Sequence, residues 1–537
     1  MSNLLLLIKD INTITHKYIP ICILLNFILL LILIYINRSY IIALLLSVKK
    51  STWLLILLIT ILSFTLRIFL PGGPSHLIFI DEQWYMEAAS TLADTGLQGN
   101  YVKSIGWPFI LSIIFKVFGS NNWIALYTSI IFGTLTSFVI FLLSYVVTKK
   151  QLFSIFPALI FALSPIHIFW STSAETNIFS IFFTVITILF WFIFYKEKTP
   201  SLLWLSVILM AFAAQIRPEN YIFPLLFLSG YLIIVKYDIY KNLKLMNVLP
   251  WIIFIIIVTP NLIQVVDFNF GTHYYQGGYN NGNWMPSKMA NNFFIELYRM
   301  ISMLPFFVVI LFIFGLIKTA LNHKKELFIF STWFMLLWLF YFFSWFQTLD
   351  FKTNIIIHRF YLFFYLIIAI FVVYGILYIQ TFIFRSKNFQ KLFFIVLFSL
   401  IVCSFIPQIS YTYESYALSK AIKMSQLETK IPELAEKDIP PECMIIATQP
   451  SVLTSTTDLQ AIMVEHFLGD EKLRENIFDN HECILFFEDK YCFGQRNYKE
   501  DIKNKKKCQE IISLYGEKPF KTYSQDNLKF TFYNIKN

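Results

Sequence analysis

Two adjacent carboxylates, Asp81 and Glu82, directly follow a strongly apolar stretch of the chain. A carboxylate at the edge of a low-dielectric region has a raised pKa, and it is then a better general base for taking a proton from an attacking hydroxyl. The pair also fits a structural role, because aspartate is a good helix N-cap and acidic residues stabilise the first turn of a helix.

Other ionisable residues lie where predicted membrane spans begin or end. Arg217 sits between two spans, Arg359 lies just inside the end of another, and Glu175 opens a third. A charge at such a position is costly and suggests function, and the planar guanidinium matches a phosphate group. The alternatives are a snorkelling arginine, a pair with Glu219 or Asp350, and a helix-dipole role for Glu175.

Two short helices are predicted after the carboxylate pair. Apolar residues recur at helical spacing over 82–95, which predicts an amphipathic surface helix that ends near Gly96 or Gly99. The segment 105–119 is apolar, and its Pro108 suits a first helical turn. A helix of about 12 residues is too short to cross a bilayer, so an interfacial or re-entrant element is expected there.

The composition indicates a polytopic helical membrane protein. The chain has 537 residues, 57% of them hydrophobic, and its mean hydropathy is +0.63. Repeated apolar runs without strict alternation favour membrane-spanning helices over barrel strands. The predicted spans lie near 52–70, 122–147, 152–168, 175–195, 201–216, 219–235, 247–266, 299–320, 326–346, 355–379 and 391–410.

The N-terminal stretch 18–48 adds about one more span. It is interrupted by Asn37-Arg38, so one crossing and a fold back on itself both remain open. We therefore expect an all-α polytopic bundle of about 11–12 transmembrane helices, with a small α/β domain at the C-terminus.

Charge separates the loops into two sets. Fifteen Lys/Arg and three acids occupy alternate loops that begin with Lys49-Lys50, whereas most acids of the membrane part fall in the other set. By the positive-inside rule the basic set is cytoplasmic, which places Asp81, Glu175 and the loop 267–298 outside the cytoplasm. The basic excess therefore reports membrane topology, and no nucleic-acid partner is expected.

The C-terminal part is different in character. Residues 1–410 hold 26 Lys/Arg and 13 Asp/Glu, whereas residues 411–537 hold 17 and 20. We therefore divide the chain into an N-terminal hydrophobic segment (1–50), a membrane catalytic domain (51–410, with exterior loops 71–121 and 267–298) and an extracytoplasmic soluble domain (411–537). "CMIIATQ" and "CILFFED" are predicted as buried strands, and "DLQAIMVEHFLGDEKLREN" as a helix.

The soluble domain contains an even number of cysteines. Four exterior cysteines suggest two disulfides, and the sequence leaves all three pairings open. No CxxC spacing indicates a zinc site. The candidates are Cys443, Cys483, Cys492 and Cys508.

The order of these elements resembles the multi-spanning GT-C glycosyltransferases, in particular the protein O-mannosyltransferase and aminoarabinose-transferase branch, which is similar to glycosyltransferase family 39. The likeness rests on a first span, then Asp81-Glu82-x-x-Tyr85, then a short apolar helix after "YVKSIGWP", then a second span. This likeness in the order of elements extends over residues 50–400. Trp107-Pro108 stands where the family usually has Pro-Pro.

The resemblance implies a lipid-linked sugar phosphate as donor and a loop carboxylate as catalytic base. We expect Asp81 to be that base and Glu82 to bind the acceptor or orient the loop. Arg217, Arg359 and Lys103 are the candidates for the donor phosphate, and "HRFYL" around Arg359 looks like an "RY" element of the family.

The acceptor side is expected to involve a second group of residues, Glu175 as a second acid together with Tyr85, Glu219 and His273. His273 lies in "GTHYYQGGYNNGNW", whose aromatic residues could stack on sugar faces; a flexible exterior loop is the alternative. One displacement inverts the anomeric centre and needs no general acid. No cofactor is expected; a divalent metal is possible but not expected, because arginine can neutralise one phosphate.

The sequence thus predicts a multi-pass cell-membrane glycosyltransferase with an extracytoplasmic active site. Its partners would be a polyprenyl-phosphate sugar, membrane lipids and a glycan, lipid or protein acceptor. The alternatives are a lipid-linked glycan ligase and a non-enzymatic transporter or lipid flippase. The chain has no Walker A, GxGxxG or HExxH motif, no cytosolic DxD and no obvious internal repeat.

Overall fold

The fold consists of a helical bundle followed by a small mixed α/β domain. The computed structural model of the protein describes residues 18–70, 80–96, 104–235, 245–270, 297–344, 361–383, 387–417, 431, 434–448, 450, 453, 459–489, 492, 499–515, 519–525 and 528–536. The candidate residues Lys103, His273 and Arg359 lie outside the described residues.

The bundle is built from helices and one 3₁₀ turn. In chain order they are α1 (Ile19–Ile36), α2 (Arg38–Leu46), α3 (Lys50–Phe69), α4 (Ile80–Thr95), α5 (Gly106–Phe118), α6 (Asn122–Thr148), α7 (Ile155–Leu163), α8 (Pro165–Ser171), α9 (Thr176–Glu197), α10 (Pro200–Ile216), the 3₁₀ turn η1 (Pro218–Ile222), α11 (Phe223–Val235), α12 (Leu245–Phe270), α13 (Phe306–Asn322), α14 (Lys324–Ser344), α15 (Tyr361–Ile383) and α16 (Lys387–Ala417).

Within the described ranges, seven helices are long and apolar enough to cross a membrane: α1, α3, α6, α9, α12, α15 and α16. Each of the predicted spans has helical structure, but several are shorter than the sequence indicates. The span predicted at 152–168 is two helices, because Pro165 lacks the amide hydrogen that would continue α7. The span predicted at 299–320 has its long helix only from Phe306, directly after Pro305.

In the described part of the N-terminal segment, residues 18–50, α1 is the one helix long enough to cross a membrane. α1 runs antiparallel to α10: the side-chain amides of Asn26 and Gln215 hydrogen-bond at 2.7 Å, and Asn37 accepts a 2.7 Å bond from the hydroxyl of Ser201. α2 has only nine residues, too few to span a bilayer. The break at Asn37 therefore ends the span and does not begin a second one.

Three of the basic loops lie together at one end of the bundle. The backbone N–H of Lys49 donates to Gln151 at 3.0 Å, and Lys196 donates to the carbonyls of Val146 and Val147 at the end of α6. These contacts show that the basic loops around Lys49, Lys149 and Lys196 share one end. That this end faces the cytoplasm stays a prediction.

The two short helices of the first long loop are confirmed. α4 covers the predicted 82–95 helix, and Gly96, with φ +75°, stops it. α5 covers 106–118 and ends at Gly119, with φ +87°. A positive φ costs glycine little because it has no Cβ, so each glycine turns the chain where the helix must end.

The C-terminal domain contains one five-stranded sheet. Its strands are β1 (Met444–Ala447), β2 (Gln460–Met463), β3 (Ile484–Glu488), β4 (Pro519–Gln525) and β5 (Leu528–Lys536), in the spatial order β2-β1-β3-β5-β4. β1 pairs with β2 and β3 in parallel, and β5 pairs antiparallel with β3 and β4. Three helices accompany the sheet, α17 (Val464–Gly469), α18 (Glu471–Asn480) and α19 (Lys499–Tyr515).

Two of the five strands were predicted correctly, whereas β2, β4 and β5 were not predicted. β1 and β3 lie in the segments "CMIIATQ" and "CILFFED", and both are mostly buried. The helix predicted over "DLQAIMVEHFLGDEKLREN" is wrong at its start, because Gln460–Met463 forms β2 beside β1. Short apolar runs are ambiguous between helix and strand, and here pairing with a neighbouring strand decides the outcome.

The four candidate cysteines form two disulfides in the structure. Cys443 is bonded to Cys483, and Cys492 is bonded to Cys508. The first bond joins the residues just before β1 and β3, and the second joins α19 to the segment after β3. This selects one of the three pairings that the sequence leaves open.

A close contact between α13 and α15 predicts a large effect of a small substitution. A Cβ added at Gly375 of α15 would lie 1.9 Å from the carbonyl oxygen of Leu311 on α13. Because that atom is backbone and cannot rotate away, we expect Gly375→Ala to destabilise the protein by at least about 1–3 kcal/mol. Thermal unfolding in detergent measures the change. Gly469→Ala is the control, since nothing lies within 4 Å of its added Cβ; equal unfolding midpoints for the two variants would contradict the close packing.

Candidate functional site

The two adjacent carboxylates have different surroundings. Asp81 and Glu82 both lie in the first turn of α4, the position named in the structural alternative for the pair. Glu82 is fully buried, and its Oε1 accepts a 2.6 Å hydrogen bond from the backbone N–H of Ala174. Asp81 is partly exposed. Neighbours in the chain therefore differ in surroundings: the Glu82 carboxylate is buried and hydrogen-bonded to another segment, whereas the Asp81 side chain is partly exposed.

The peptide group of Ala174 is held from two sides. Its N–H donates to Glu82, and its carbonyl accepts a 2.6 Å bond from Nε1 of Trp107 at the start of α5. Trp107 is fully buried, and its ring lies 3.7 Å from that of Phe179 on α9. Three segments that are distant in sequence, α4, α5 and the α8–α9 connection, are thus joined at one residue.

A glycine brings α5 against a fourth segment. A Cβ added at Gly106 would lie 2.7 Å from backbone atoms of Gln215 and Ile216 at the end of α10. Only a residue without a side chain allows that approach. The next residue of the chain is Arg217, so α5 contacts both the segment that precedes Glu175 and the segment that precedes Arg217.

Tyr85 lies among the charged candidates. It is buried, and burial raises the pKa of its phenol; the nearby carboxylates of Glu175 and Asp81 raise that pKa further, whereas Arg217 lowers it. Thr176 hydrogen-bonds to the same phenol. One buried tyrosine, one helical turn after Asp81, therefore has both acids and the arginine in its electrostatic environment, as expected if they form a single site.

Glu175 and Arg217 lie where helices start and stop. Glu175 is the N-cap residue of α9 and is 3% exposed. Arg217 has an extended backbone because Pro218 disfavours a helical conformation in the residue before it. The guanidinium of Arg217 binds Glu219 through Nε and Nη2, both at 2.8 Å. The alternative proposed for Arg217, a pair with Glu219, is thus present.

Two amide residues beside these charges were not predicted as site residues. Asn177 lies two residues after Glu175, and Asn220 follows Glu219; they are 2% and 0% exposed. Asn220 donates through Nδ2 to the Ser180 hydroxyl at 2.9 Å and to the Ala213 carbonyl at 2.6 Å. A polar amide next to a charged residue in an otherwise apolar region is a signal that the sequence does contain.

A second buried cation, also not predicted, lies in α3. Arg67 is completely buried and donates to the carbonyl and hydroxyl of Ser63 and to Nδ1 of His167, at 2.5–2.6 Å. Among the described residues no carboxylate forms an ion pair with it. Gly133 lies beside this group: a Cβ there would clash with the side chain of Ser171 and would lie 3.2 Å from Arg67 Nε.

In the part of the chain that the structure describes, no group of three His, Cys, Asp or Glu side chains is arranged to hold a metal ion. The expectation that the protein needs no metal stays a prediction.

Comparisons with known proteins agree with this architecture. A family model described as dolichyl-phosphate-mannose-protein mannosyltransferase matches residues 102–263, which include Glu175 and Arg217 but not Asp81. That match covers less than half of the chain. A search of curated proteins by sequence gives no significant match.

Solved membrane glycosyltransferases have similar structures. ArnT from Cupriavidus metallidurans matches in its apo state with a TM-score of 0.56 at 12% identity, covering 90% of this chain and 98% of that one. The same protein bound to undecaprenyl phosphate matches with 0.54 at 11% identity and the same coverage. The Archaeoglobus fulgidus oligosaccharyltransferase, in a complex with Zn and sulfate, matches with 0.53 at 12% identity, covering 89% of this chain and 73% of that one.

At these identities the likeness shows the fold. The chain is a multi-pass membrane protein with the GT-C fold, and the resemblance drawn from its sequence is confirmed at that level. The roles of the individual site residues stay predictions.

The hydrogen bond from Trp107 to the carbonyl of Ala174 predicts that the indole nitrogen of Trp107 stabilises the protein. Trp107→Phe keeps the ring but leaves the buried carbonyl of Ala174 without its donor, which should cost about 1–3 kcal/mol. Thermal unfolding in detergent measures the loss. Trp123→Phe is the matched control, because Trp123 is 45% exposed; equal losses in the two variants would show that the bond to Ala174 contributes nothing.

Proposed function

We propose that this protein is a glycosyltransferase that moves a sugar from a polyprenyl-phosphate donor to an acceptor hydroxyl. The observation that carries the proposal is the group formed by Asp81, Tyr85, Glu175 and Arg217 at one end of a GT-C bundle. It combines a partly exposed carboxylate with a guanidinium, the two groups that such a transfer requires.

The reaction needs one base and one stabilised leaving group. The acceptor oxygen attacks the anomeric carbon, a carbon–oxygen bond forms there, and the bond from that carbon to the phosphate oxygen breaks. The electron pair stays on the phosphate, and the hydroxyl proton passes to Asp81. General-base assistance of this kind contributes about 10²–10⁴-fold to the rate. A single displacement inverts the anomeric configuration.

The different burial of the two acids supports this division of roles. The carboxylate of Glu82 is occupied by the N–H of Ala174, so its contribution is to orient α4 against the α8–α9 connection. Asp81, one residue earlier and partly exposed, can reach an acceptor that arrives from outside the bundle. Glu175 is buried beside Tyr85 and is the second acid of the site.

Arg217 is the described group best suited to the leaving phosphate. A guanidinium carries five N–H donors, and the pair with Glu219 uses Nε and Nη2. Glu219 therefore fixes the plane of the guanidinium before the donor arrives, which lowers the entropy lost on binding. Developing negative charge on the phosphate would be stabilised by a group that is already in position. Arg359 and Lys103 remain further candidates for the same phosphate.

The setting of the reaction follows from the membrane fold. The polyprenyl chain would lie against the apolar helices while the sugar phosphate sits at the end that carries Asp81 and Arg217. The charge pattern assigns that end to the extracytoplasmic side. The acceptor is a hydroxyl of a glycan, a lipid or a protein.

A ligase that transfers a whole lipid-linked glycan is the second candidate. The observation in its favour is the similarity to the archaeal oligosaccharyltransferase. A transporter is less well supported, because the described acids of the site gather at one end of the bundle and not near its middle. Donors that carry one sugar and donors that carry a glycan would separate the two enzymatic candidates directly.

Replacement of the proposed base tests the mechanism. Asp81→Asn keeps the size of the side chain but removes the proton acceptor, so we expect transfer to fall by at least about 100-fold. Transfer of label from a polyprenyl-phosphate sugar is measured in membranes that contain equal amounts of folded protein. Asp94→Asn is the matched control, because Asp94 lies in the last turn of the same helix and is exposed.

Asp94→Asn should retain the wild-type rate. A folded Asp81→Asn protein that transfers sugar as fast as this control would remove Asp81 from the mechanism.

A further inference from the structure

Asn177 has a buried side-chain amide whose hydrogen-bonding groups are not satisfied by the described part of the protein. It is 2% exposed, and neither its Nδ2 nor its Oδ1 has a hydrogen-bond partner within the described residues. A buried polar atom without a partner costs about 1–3 kcal/mol. Because both ends of the amide are unpaired, exchanging the positions of the nitrogen and the oxygen would not relieve the cost.

Asn220 presents a second unpaired atom to the same region. Its Nδ2 is occupied by Ser180 and Ala213, but its Oδ1 has no partner among the described residues. Ser180 lies three residues after Asn177 on α9, so the two share one face of that helix. The contact between Asn220 and Ser180 shows that this face is turned towards η1. The two amides therefore lie on facing elements.

The position of these amides is informative. Asn177 follows Glu175 by two residues, and Asn220 is the neighbour of Glu219, which binds Arg217. Both amides are therefore within three residues of a charged residue of the candidate site. The unpaired atoms are two acceptors and one donor, all on neutral side chains.

Serine and threonine hydroxyls that lack partners elsewhere in the bundle are a different case. Thr184, two turns further along the same face of α9, is also buried and unpaired. A hydroxyl can rotate towards a carbonyl of its own helix, whereas an asparagine amide has two ends that must both be satisfied. Among the buried amides that the structure describes, only Asn177 has both ends unpaired, and this feature beside the charged site indicates a ligand.

We propose that Asn177 and Asn220 form the subsite that recognises the sugar of the donor, and that this sugar is a neutral pyranose. The inference rests on the proposed function and deepens it. Neighbouring hydroxyls of a pyranose each donate and accept, so one ring can satisfy the amide of Asn177 and the carbonyl oxygen of Asn220 together. The neutral assignment follows from the subsite atoms themselves, because all three unpaired atoms belong to uncharged side chains.

The experiment compares ligands that differ only in the sugar. Binding of bare polyprenyl phosphate, polyprenyl-phosphate mannose, polyprenyl-phosphate glucose and a polyprenyl-phosphate aminosugar is measured by titration of the full-length protein in nanodiscs. The readout is the affinity gained by adding the sugar to the bare lipid phosphate. We expect the wild-type protein to gain affinity for at least one neutral sugar.

Asn177→Leu is the informative variant because leucine has a similar size and no polar atoms. We expect it to reduce the gain from the sugar by about tenfold, the equivalent of one hydrogen bond, and to leave binding of the bare lipid phosphate unchanged. The same variant should raise the unfolding midpoint in the absence of donor, because it removes an unpaired buried amide. Asn220 is not substituted, since its Nδ2 ties η1 to α10.

Thr184→Val is the matched control, and we expect it to leave the gain from the sugar unchanged. If adding the sugar raises the affinity of the wild-type protein and of Asn177→Leu equally, the assignment of Asn177 to the sugar subsite is wrong, while the proposed function stands. A gain confined to the aminosugar donor would likewise overturn the neutral-sugar assignment alone. If the wild-type protein gains affinity for no sugar and transfers none, both proposals fall.

Discussion

The peptide group of Ala174 is the point on which the candidate site depends. In a membrane bundle every buried N–H and carbonyl must find a partner inside the protein. Here the partners come from two other segments, Glu82 on α4 and Trp107 on α5. The same two bonds that satisfy the peptide therefore place the loop helices against the start of α9. Glu175, the next residue, takes its position from them, as does Tyr85 one turn along α4.

The cation of the candidate site is paired with a carboxylate of the protein itself. Arg217 is already neutralised by Glu219 before any ligand binds, and the pair is fixed by a proline-directed turn. Such a pair is costly to desolvate and is stabilised when further hydrogen bonds complete it. An incoming phosphate can share the guanidinium without requiring a new buried cation. The amides of Asn177 and Asn220 add polar atoms beside the pair and leave its charge unchanged.

Much of the fold could be predicted because it follows from local patterns. Apolar runs and the separation of basic from acidic loops predict the helices and the end at which each loop lies. Helical spacing and the positions of glycine predict α4 and α5. What could not be predicted depends on contacts between distant segments: β2 was mistaken for helix because its pairing with β1 is not visible in its own residues. The bond from Trp107 to Ala174, the choice of disulfide partners and the burial of Asn177 are of the same kind.

The most direct measurement is an experimental structure of the full-length protein in a lipid environment with a polyprenyl-phosphate monosaccharide bound. The proposed mechanism predicts the phosphate oxygens within hydrogen-bond distance of Arg217, about 3 Å, and the anomeric carbon turned towards the carboxylate of Asp81. A donor whose phosphate lies at the opposite end of the bundle, or whose sugar is separated from Asp81 by the buried Glu82, would contradict it.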